Sequence, residues 1–312
     1  MRVFVTGASG HIGSAVVPEL IAAGHQVTGL TRSEASAAVV SAAGATALPG
    51  TIDDLDLLRS AAADADGVIH LAFKHEAMRS GDMQGAAMAD QTAVEAMLDA
   101  LAGTDKAFVG TSGTLLLSMA APGRVGTEAD VASGGRADTE NLTIEAAARG
   151  VRTSVVRLPP TVHSSLDHHG FIPTLIGMAR ANGQAAYVGD GANRWPAGHT
   201  LDAARLYRLA LESAPAGSRL HAVGDEGVPF VQIAEAIGRN LGLPAVRIAA
   251  EEADKQLGFL GGFAQLDNPT SSELTRKLLG WAPIHPGLIA DMDEGHYFAP
   301  AREPKRAPLP AD

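Results

Sequence analysis

Three glycines, at positions 7, 10 and 13, follow a short apolar run in the opening MRVFVTGASGHIG. Gly7 permits a tight turn, Gly10 lets backbone approach an anion, and Gly13 lets the next helix pack closely. That helix offers its first N–H groups and a favourable dipole to a pyrophosphate. The turn follows a strand, opens a helix and heads a βαβ alternation, so it is expected to bind a dinucleotide. The end of the second strand selects which one. VTGLTRSEAS has no acid on the strand to take a ribose 2′-hydroxyl, then offers Arg32 and Ser33. An arginine there accommodates the additional phosphate of NADP, which is expected over NAD. Two alternatives remain: Glu34 as the acid in a shifted register, or Arg32 and Glu34 as a solvated helix start.

The elements that must position this chemistry follow one pattern up to about Leu158. Short β-branched runs alternate with alanine-rich helical ones. Strands are expected at Val3–Thr6, Gln26–Thr31, Ala45–Leu48, Gly67–Ala72, Ala107–Gly110 and Thr153–Arg157. Helices are expected over Ile12–Ala23, through Val39 and Val40, and over Leu55–Ala63, the last capped by Asp54. Nearly continuous apolar strands imply a parallel sheet covered on both faces, a doubly wound α/β (Rossmann) fold. Residues 1–162 form this dinucleotide-binding domain. Residues 163–298 form a smaller substrate-side region, from which about 198–224 returns to the Rossmann core. Its helices are expected at Phe171–Ala181, Leu201–Ser213 and Val231–Leu241, with a strand near Leu220–Val223. The last stretch, APAREPKRAPLPAD (299–312), is proline-rich and charged and is expected to be a disordered tail.

Bulk properties narrow the partners. A formal net charge of -11 argues against nucleic acid and against an anionic membrane surface. With no cysteine, disulfides and thiolate metal sites are excluded. No helix carries a metal-spaced histidine pair, so no metal is expected. The first strand leaves no room for a signal peptide, and no apolar run approaches the ~18 residues of a membrane span. A soluble, cytoplasmic protein acting on a small-molecule substrate is expected.

Several stretches, in order along the chain, resemble the extended or atypical short-chain dehydrogenase/reductases, which include sugar-nucleotide epimerases and dehydratases. They are TGASGHIG (residues 6–13), HLAF (70–73), VGTSGTLL (109–116), VVRLPPTVH (155–163), GHTLDAARLYRLALE (198–212) and LLGWAP (278–283). The resemblance implies cofactor contacts from Thr6, Gly7, Ser9, Gly10, His11, Ile12, Gly13, Arg32, Thr51, Ile52, Leu71, Ala72, Phe73, Thr111 and Arg136. In this family a serine or threonine binds the substrate oxygen, and a YxxxK tyrosine exchanges the proton. Ser112 matches the serine, although a simple turn serine is the other possibility. The family spacing puts the lysine position on Arg136, the acid that follows on Glu140 and the tyrosine position on Ala132. Alanine transfers no proton, and the chain's three tyrosines, Tyr187, Tyr207 and Tyr297, all lie outside 112–157. Arg136 keeps the positive charge but is a poor acid. Thr51 stands where the family often has an aspartate.

Histidine suits the vacant role because it titrates near neutrality. His75, His163 and His199 are the candidates to touch substrate or nicotinamide, each with the alternative of a backbone-bonded loop histidine. His70 is expected to be packed within its strand. His168 and His169 form a lid's polar face or are solvated. Arg194 and Trp195 fall near the position where relatives bind a substrate phosphate; Trp195 serves equally as a core or interface anchor. Asp202 is expected to cap the helix it begins. Two functions follow. One is an NADP(H)-dependent oxidoreductase, or an epimerase/dehydratase, in which Ser112, Arg136, His163 and His75 carry the chemistry. The other is an NADP(H)-binding redox sensor that has lost the catalytic tyrosine. The resemblance also implies a homodimer through helices near Met88–Leu101 and Asp138–Ala148.

Overall fold

A computed structural model describes residues 1–299 apart from Ala121; all but the first residue of the expected 299–312 tail lies outside them. Six strands and seven helices build the first half. The strands are β1 (Arg2–Thr6), β2 (Gln26–Thr31), β3 (Thr46–Pro49), β4 (Gly67–His70), β5 (Ala107–Gly113) and β6 (Arg152–Leu158). The helices are α1 (Gly13–Ala22), α2 (Glu34–Ala42), α3 (Leu55–Asp64), α4 (His75–Arg79), α5 (Met83–Leu101), α6 (Leu117–Ala120) and α7 (Arg136–Glu145). The second half adds β7 (Thr161–His163), α8 (Phe171–Asn182), β8 (Ala185–Val188), β9 (Arg194–His199), α9 (Thr200–Ser213), β10 (Ser218–His221), β11 (Asp225–Pro229) and α10 (Phe230–Leu241). It closes with β12 (Ala245–Ile248), α11 (Ala253–Leu257), α12 (Glu273–Leu279) and α13 (Leu288–Asp293).

Seven parallel strands form the main sheet in the order β10-β6-β5-β4-β1-β2-β3. The doubly wound α/β expectation matches this sheet. Both faces are covered. Val3, Val5 and Val109 meet α1 and α9 on one side, while Phe4, Val68 and Phe108 meet α3 and α5 on the other. The chain returns through α9 and β10, which pairs in parallel with β6. Small sheets β11-β9-β7 and β12-β8, with α8 and α10, enclose a separate apolar cluster. Among the described residues no helix is long and apolar enough to cross a membrane.

Two local differences matter for the site. The fifth strand runs to Gly113 rather than stopping at Gly110, so Thr111 and Ser112 are strand residues held in register against Val156 and Arg157. Asp54 precedes α3 without capping it by its side chain; Oδ2 accepts from Thr51 N and Oγ1 instead, at 2.7 and 3.1 Å.

Candidate active site

Two of the three glycines of the first turn are required by space. Gly7 sits at φ +67, and a Cβ on it would lie 2.7 Å from Ala72 N; one on Gly13 would lie 2.2 Å from Gly7 O. Gly10 is exposed and donates its N–H to Gly7 O at 3.0 Å. The cradle thus brings the start of α1 to the C-terminal edge of the sheet, where ligands bind in such folds. Thr6 closes it from below. Its hydroxyl oxygen accepts from Leu71 N and Ala72 N, both at 3.2 Å, so its hydrogen faces His70 Nδ1, 2.8 Å away. The imidazole is therefore the Nε2–H tautomer and donates to Asp90 Oδ1 at 3.2 Å.

Asp90 lies on α5 at 1% exposure, on the same stripe as Ala86, Ala93, Val94 and Met97. Burial works to raise its pKa, but the His70 hydrogen bond and the charge of Arg136 outweigh burial and hold it below the usual range. Arg136, at the start of α7, stacks over the Phe73 ring at 4.4 Å, and its Nε lies 4.0 Å from Asp90 Oδ2. That distance is too long for a hydrogen bond. Arg136 Nε and Nη2 are both buried without a partner, and so is Ser112 Oγ. Alternate residues of β5 face opposite sides. Thr111 bonds His70 O and the Tyr207 hydroxyl, at 2.7 and 2.8 Å, while Ser112 points toward Glu140 of α7 without reaching a hydrogen bond.

Ala132, onto which the family spacing put the tyrosine, is not on a helix. Gly134 and Gly135 sit at φ +89 and +57, and α7 starts only after them. Ala132 packs against Leu117 and Ala137, its carbonyl accepting from Asn141 Nδ2. Tyr207 is wholly buried, which drives its pKa up, and Tyr297 is raised by burial and by Asp167. Tyr187 packs against the second apolar cluster. Deeper under Ser112, Glu140 accepts from Nε and Nη2 of Arg157 and from Nε of Arg219.

The remaining candidates scatter. His75 is exposed at the start of α4, its ring 5.3 Å from that of Phe73, over which Arg136 also lies. His163, a candidate to touch substrate, is 1% exposed, and its Nδ1 lies 2.9 Å from Asp291 Oδ2. His199, not Asp202, caps α9, its Nδ1 accepting from Leu201 N. Asp202 instead accepts from Ile284 N, His285 N and His285 Nδ1. Those bonds fill its carboxylate, although His199, Asp202 and His285 lie close enough together to hold a metal. Arg194 is bound by Asp267 through Nε and Nη2, and Trp195 has no exposed surface, packing on Phe171 and Phe230. Trp195 is a core anchor. Ile52 is also a core residue, Thr51 is tied to Asp54, and exposed Arg32 pairs with Glu76 at 3.1 Å. Ser9 and Ile12 are partly buried along the turn.

His11 links the turn to the second half. Thr200 Oγ1 donates to His163 O and accepts from Ser164, so His11 Nε2 donates to it, at 2.8 Å. Burial, then the nearby His168, His163 and His169, push His11 down to about 4. His11 Nδ1 faces Asp167 Oδ1 at 3.8 Å, and Asp167 Oδ2 accepts from Tyr297. Sequence inspection missed Asp90 and Asp291. Asp90 had a signal: an acid repeating at i and i+4 with alanines and valines falls on a buried face.

The description "NAD dependent epimerase/dehydratase family" fits residues 3–128 of the chain. An uncharacterized protein of Schizosaccharomyces pombe is 46% identical over 301 residues, covering 96% of this chain and all of that one. The 2'-dehydrokanamycin reductase of Streptomyces kanamyceticus is 28% identical, over 82% of this chain and 72% of its own. Among solved structures, the dTDP-glucose 4,6-dehydratase of Streptomyces venezuelae with NAD and TYD bound superposes with a TM-score of 0.72. It is 21% identical, over 94% of this chain and 96% of that one.

Proposed function

The chain belongs to the NAD dependent epimerase/dehydratase family within the short-chain dehydrogenase/reductases, and from that premise we propose that it is an NADP(H)-dependent oxidoreductase acting on a small polar carbonyl or alcohol. The observation that carries this reading is the set of buried, unpartnered polar atoms at one sheet edge: Arg136 Nε and Nη2, and Ser112 Oγ. An unpaired buried donor costs about 1–3 kcal/mol, so such a set is expected to meet a ligand. The glycine cradle, with no room for a Cβ at Gly7 or Gly13, fits a dinucleotide pyrophosphate. A nicotinamide dinucleotide held by Gly7, Gly10 and Gly13 would supply hydride chemistry toward a carbonyl carbon at this edge. Ser112 then donates its O–H to the carbonyl oxygen as that oxygen gains charge. Arg136 directs its N–H groups to hydroxyls of the nicotinamide ribose or the substrate, resting on Phe73. His75, exposed beside that stack, passes a proton through water to the oxygen, which completes the alcohol. Buried His163 orients its neighbours rather than meeting substrate.

The NADP preference rests on Arg32, whose partner Glu76 is a solvent-exposed carboxylate that a 2′-phosphate could displace. Self-association through α5 and α7 belongs to the same proposal, since Met83 and Met88 leave apolar surface exposed on α5. Light scattering would give the mass. Fluorescence titration with NADPH, NADH, NADP+ and NAD+, followed by turnover on neutral carbonyls, tests the function. Tight binding of both phosphorylated forms with consumption of NADPH is expected. Binding of one redox state alone, without turnover, would move the chain to the sensor class, for which the alanine at the tyrosine position is the supporting observation. Substrate conversion without net cofactor consumption would make it an epimerase or dehydratase. Failure to bind any of the four would sink both nucleotide readings.

A further inference from the structure

We propose that Asp90 is a positioning and specificity residue: it cancels the charge of Arg136, so that the site takes an uncharged carbonyl and turns away one bearing a carboxylate. The inference rests on the oxidoreductase reading for the word carbonyl, and on Asp90 itself for the selectivity. Two features make the pair unusual. First, the two oxygens of Asp90 face different partners. Oδ1 accepts Nε2–H of His70, whose Nδ1 accepts the Thr6 hydroxyl, and Oδ2 faces Arg136. The carboxylate is 1% exposed, where salt screens it little. Second, the pair is close without being closed. Arg136 Nε stands 4.0 Å from Oδ2, and Nε and Nη2 remain unpartnered.

Elsewhere in this protein the same two nitrogens grip oxygen anions. Arg157 uses them on Glu140, and Arg194 uses them on Asp267 at 3.0 and 2.8 Å. An open guanidinium edge would by itself select a carboxylate substrate. Asp90 reverses that preference. An incoming anion meets a buried like charge beside the cation, whereas a hydroxyl or carbonyl accepts from Arg136 without that repulsion, and a hydroxyl can also donate to Asp90 Oδ2. Arg136 and Asp90 together therefore act as a neutral donor–acceptor pair.

The test compares an anion with its uncharged ethyl ester, and the change in their ratio between variants cancels the contribution of the ethyl group. Oxamate and ethyl oxamate are titrated calorimetrically into the protein saturated with NADPH, for wild type, D90N and the double variant D90N/R136Q. Asparagine keeps an oxygen to accept from His70 and removes the charge. Wild type is expected to bind oxamate no more tightly than the ester. D90N is expected to shift that ratio at least tenfold toward oxamate, and the added R136Q to abolish the gain. A tenfold preference for oxamate in wild type would overturn the proposal. So would a D90N ratio within twofold of wild type, or no oxamate binding by folded D90N. Should D90N fail to fold, the wild-type ratio decides. Turnover is measured separately, with methyl pyruvate against pyruvate. No turnover of either, with the binding ratios as expected, would remove the reductase reading and leave Asp90 in its role.

Discussion

Two arginines at the same helix are used in opposite ways. Arg157, on β6, meets Glu140 of α7 through two nitrogens, Asp130 O through Nη2, and the His221 ring at 3.2 Å through Nη1. Arg136, one turn earlier on α7, has an aromatic ring beneath it and a carboxylate 4.0 Å away, and two of its nitrogens bond nothing. The chain spends hydrogen bonds fully where it needs rigidity and withholds them where a ligand must supply them. The knot around Asp291 and Thr200 follows the first pattern, except that His296 Nε2 lacks a partner. Residue type does not separate framework from site, since arginine and histidine occur in both, and unpartnered buried atoms also occur at Glu128, Thr139, Thr153 and Ser154.

Arg157→Leu should break the framework side of that contrast with the largest effect. Glu140 would keep Arg219 but lose its closest cation, and breaking a buried pair costs roughly 3–5 kcal/mol. Urea or thermal unfolding checks it, with a midpoint fall of roughly 10 °C expected. A variant as stable as wild type would mean that saturation does not mark structure here.

Ser112→Ala should do the reverse. Removing a buried hydroxyl that bonds nothing in the free protein should leave stability unchanged or raise it by up to about 1 kcal/mol. Turnover, once a substrate is in hand, should fall roughly 10²-fold, the usual cost of one donor to a developing oxyanion. NADPH affinity should stay close to wild type. Equal turnover would remove Ser112 from the chemistry and weaken the claim that unpaired donors mark the site.

How far the contrast was legible beforehand follows from what periodicity encodes. The glycine spacing, the apolar parallel strands and the order of motifs report local geometry, and the sheet and cradle appear where they indicated. Partners far away in sequence were not readable. Arg194 gave no hint of Asp267, nor His163 of Asp291, because those pairs exist only after the second half folds back. Trp195 looked equally suited to substrate or core until the aromatic cluster around it was assembled. Asp90 was partly readable, since its helical stripe is otherwise apolar.

The knot's histidines give a pH signature of intermediate size. His199 is pushed down to about 4 by burial, then by the charges of His163 and His285. Its folded pKa lies below the unfolded value near 6.5, so the unfolded chain takes up the proton first. Stability is therefore complete above about pH 6.5 and lost as the pH falls toward 4, by at most roughly 3 kcal/mol for this residue. Asp167, raised by burial, works in the opposite sense over the lowest part of that window. Denaturation midpoints between pH 4 and 7 for wild type and His199→Gln check it: the variant's curve should be flatter. Parallel curves would show that His199 does not differ between the two states.

The smallest effect belongs to an exposed pair that mimics the buried one. Arg32 and Glu76 sit 3.1 Å apart with side chains 72% and 78% exposed, against 1% for Asp90 as a residue. Such surface pairs are worth about 0–1 kcal/mol, so Glu76→Gln should leave the unfolding midpoint where it was. What it should change is competition for Arg32. With the carboxylate gone, a 2′-phosphate meets an unpaired guanidinium, and NADPH affinity should rise severalfold while NADH affinity stays level. Arg32→Ala should lower NADPH affinity alone, and raising salt should shrink both differences because the pair lies in solvent. If Glu76→Gln changes neither cofactor, Arg32 does not read the phosphate, and the NADP preference would have to be given up while the buried Asp90–Arg136 pair kept its own test.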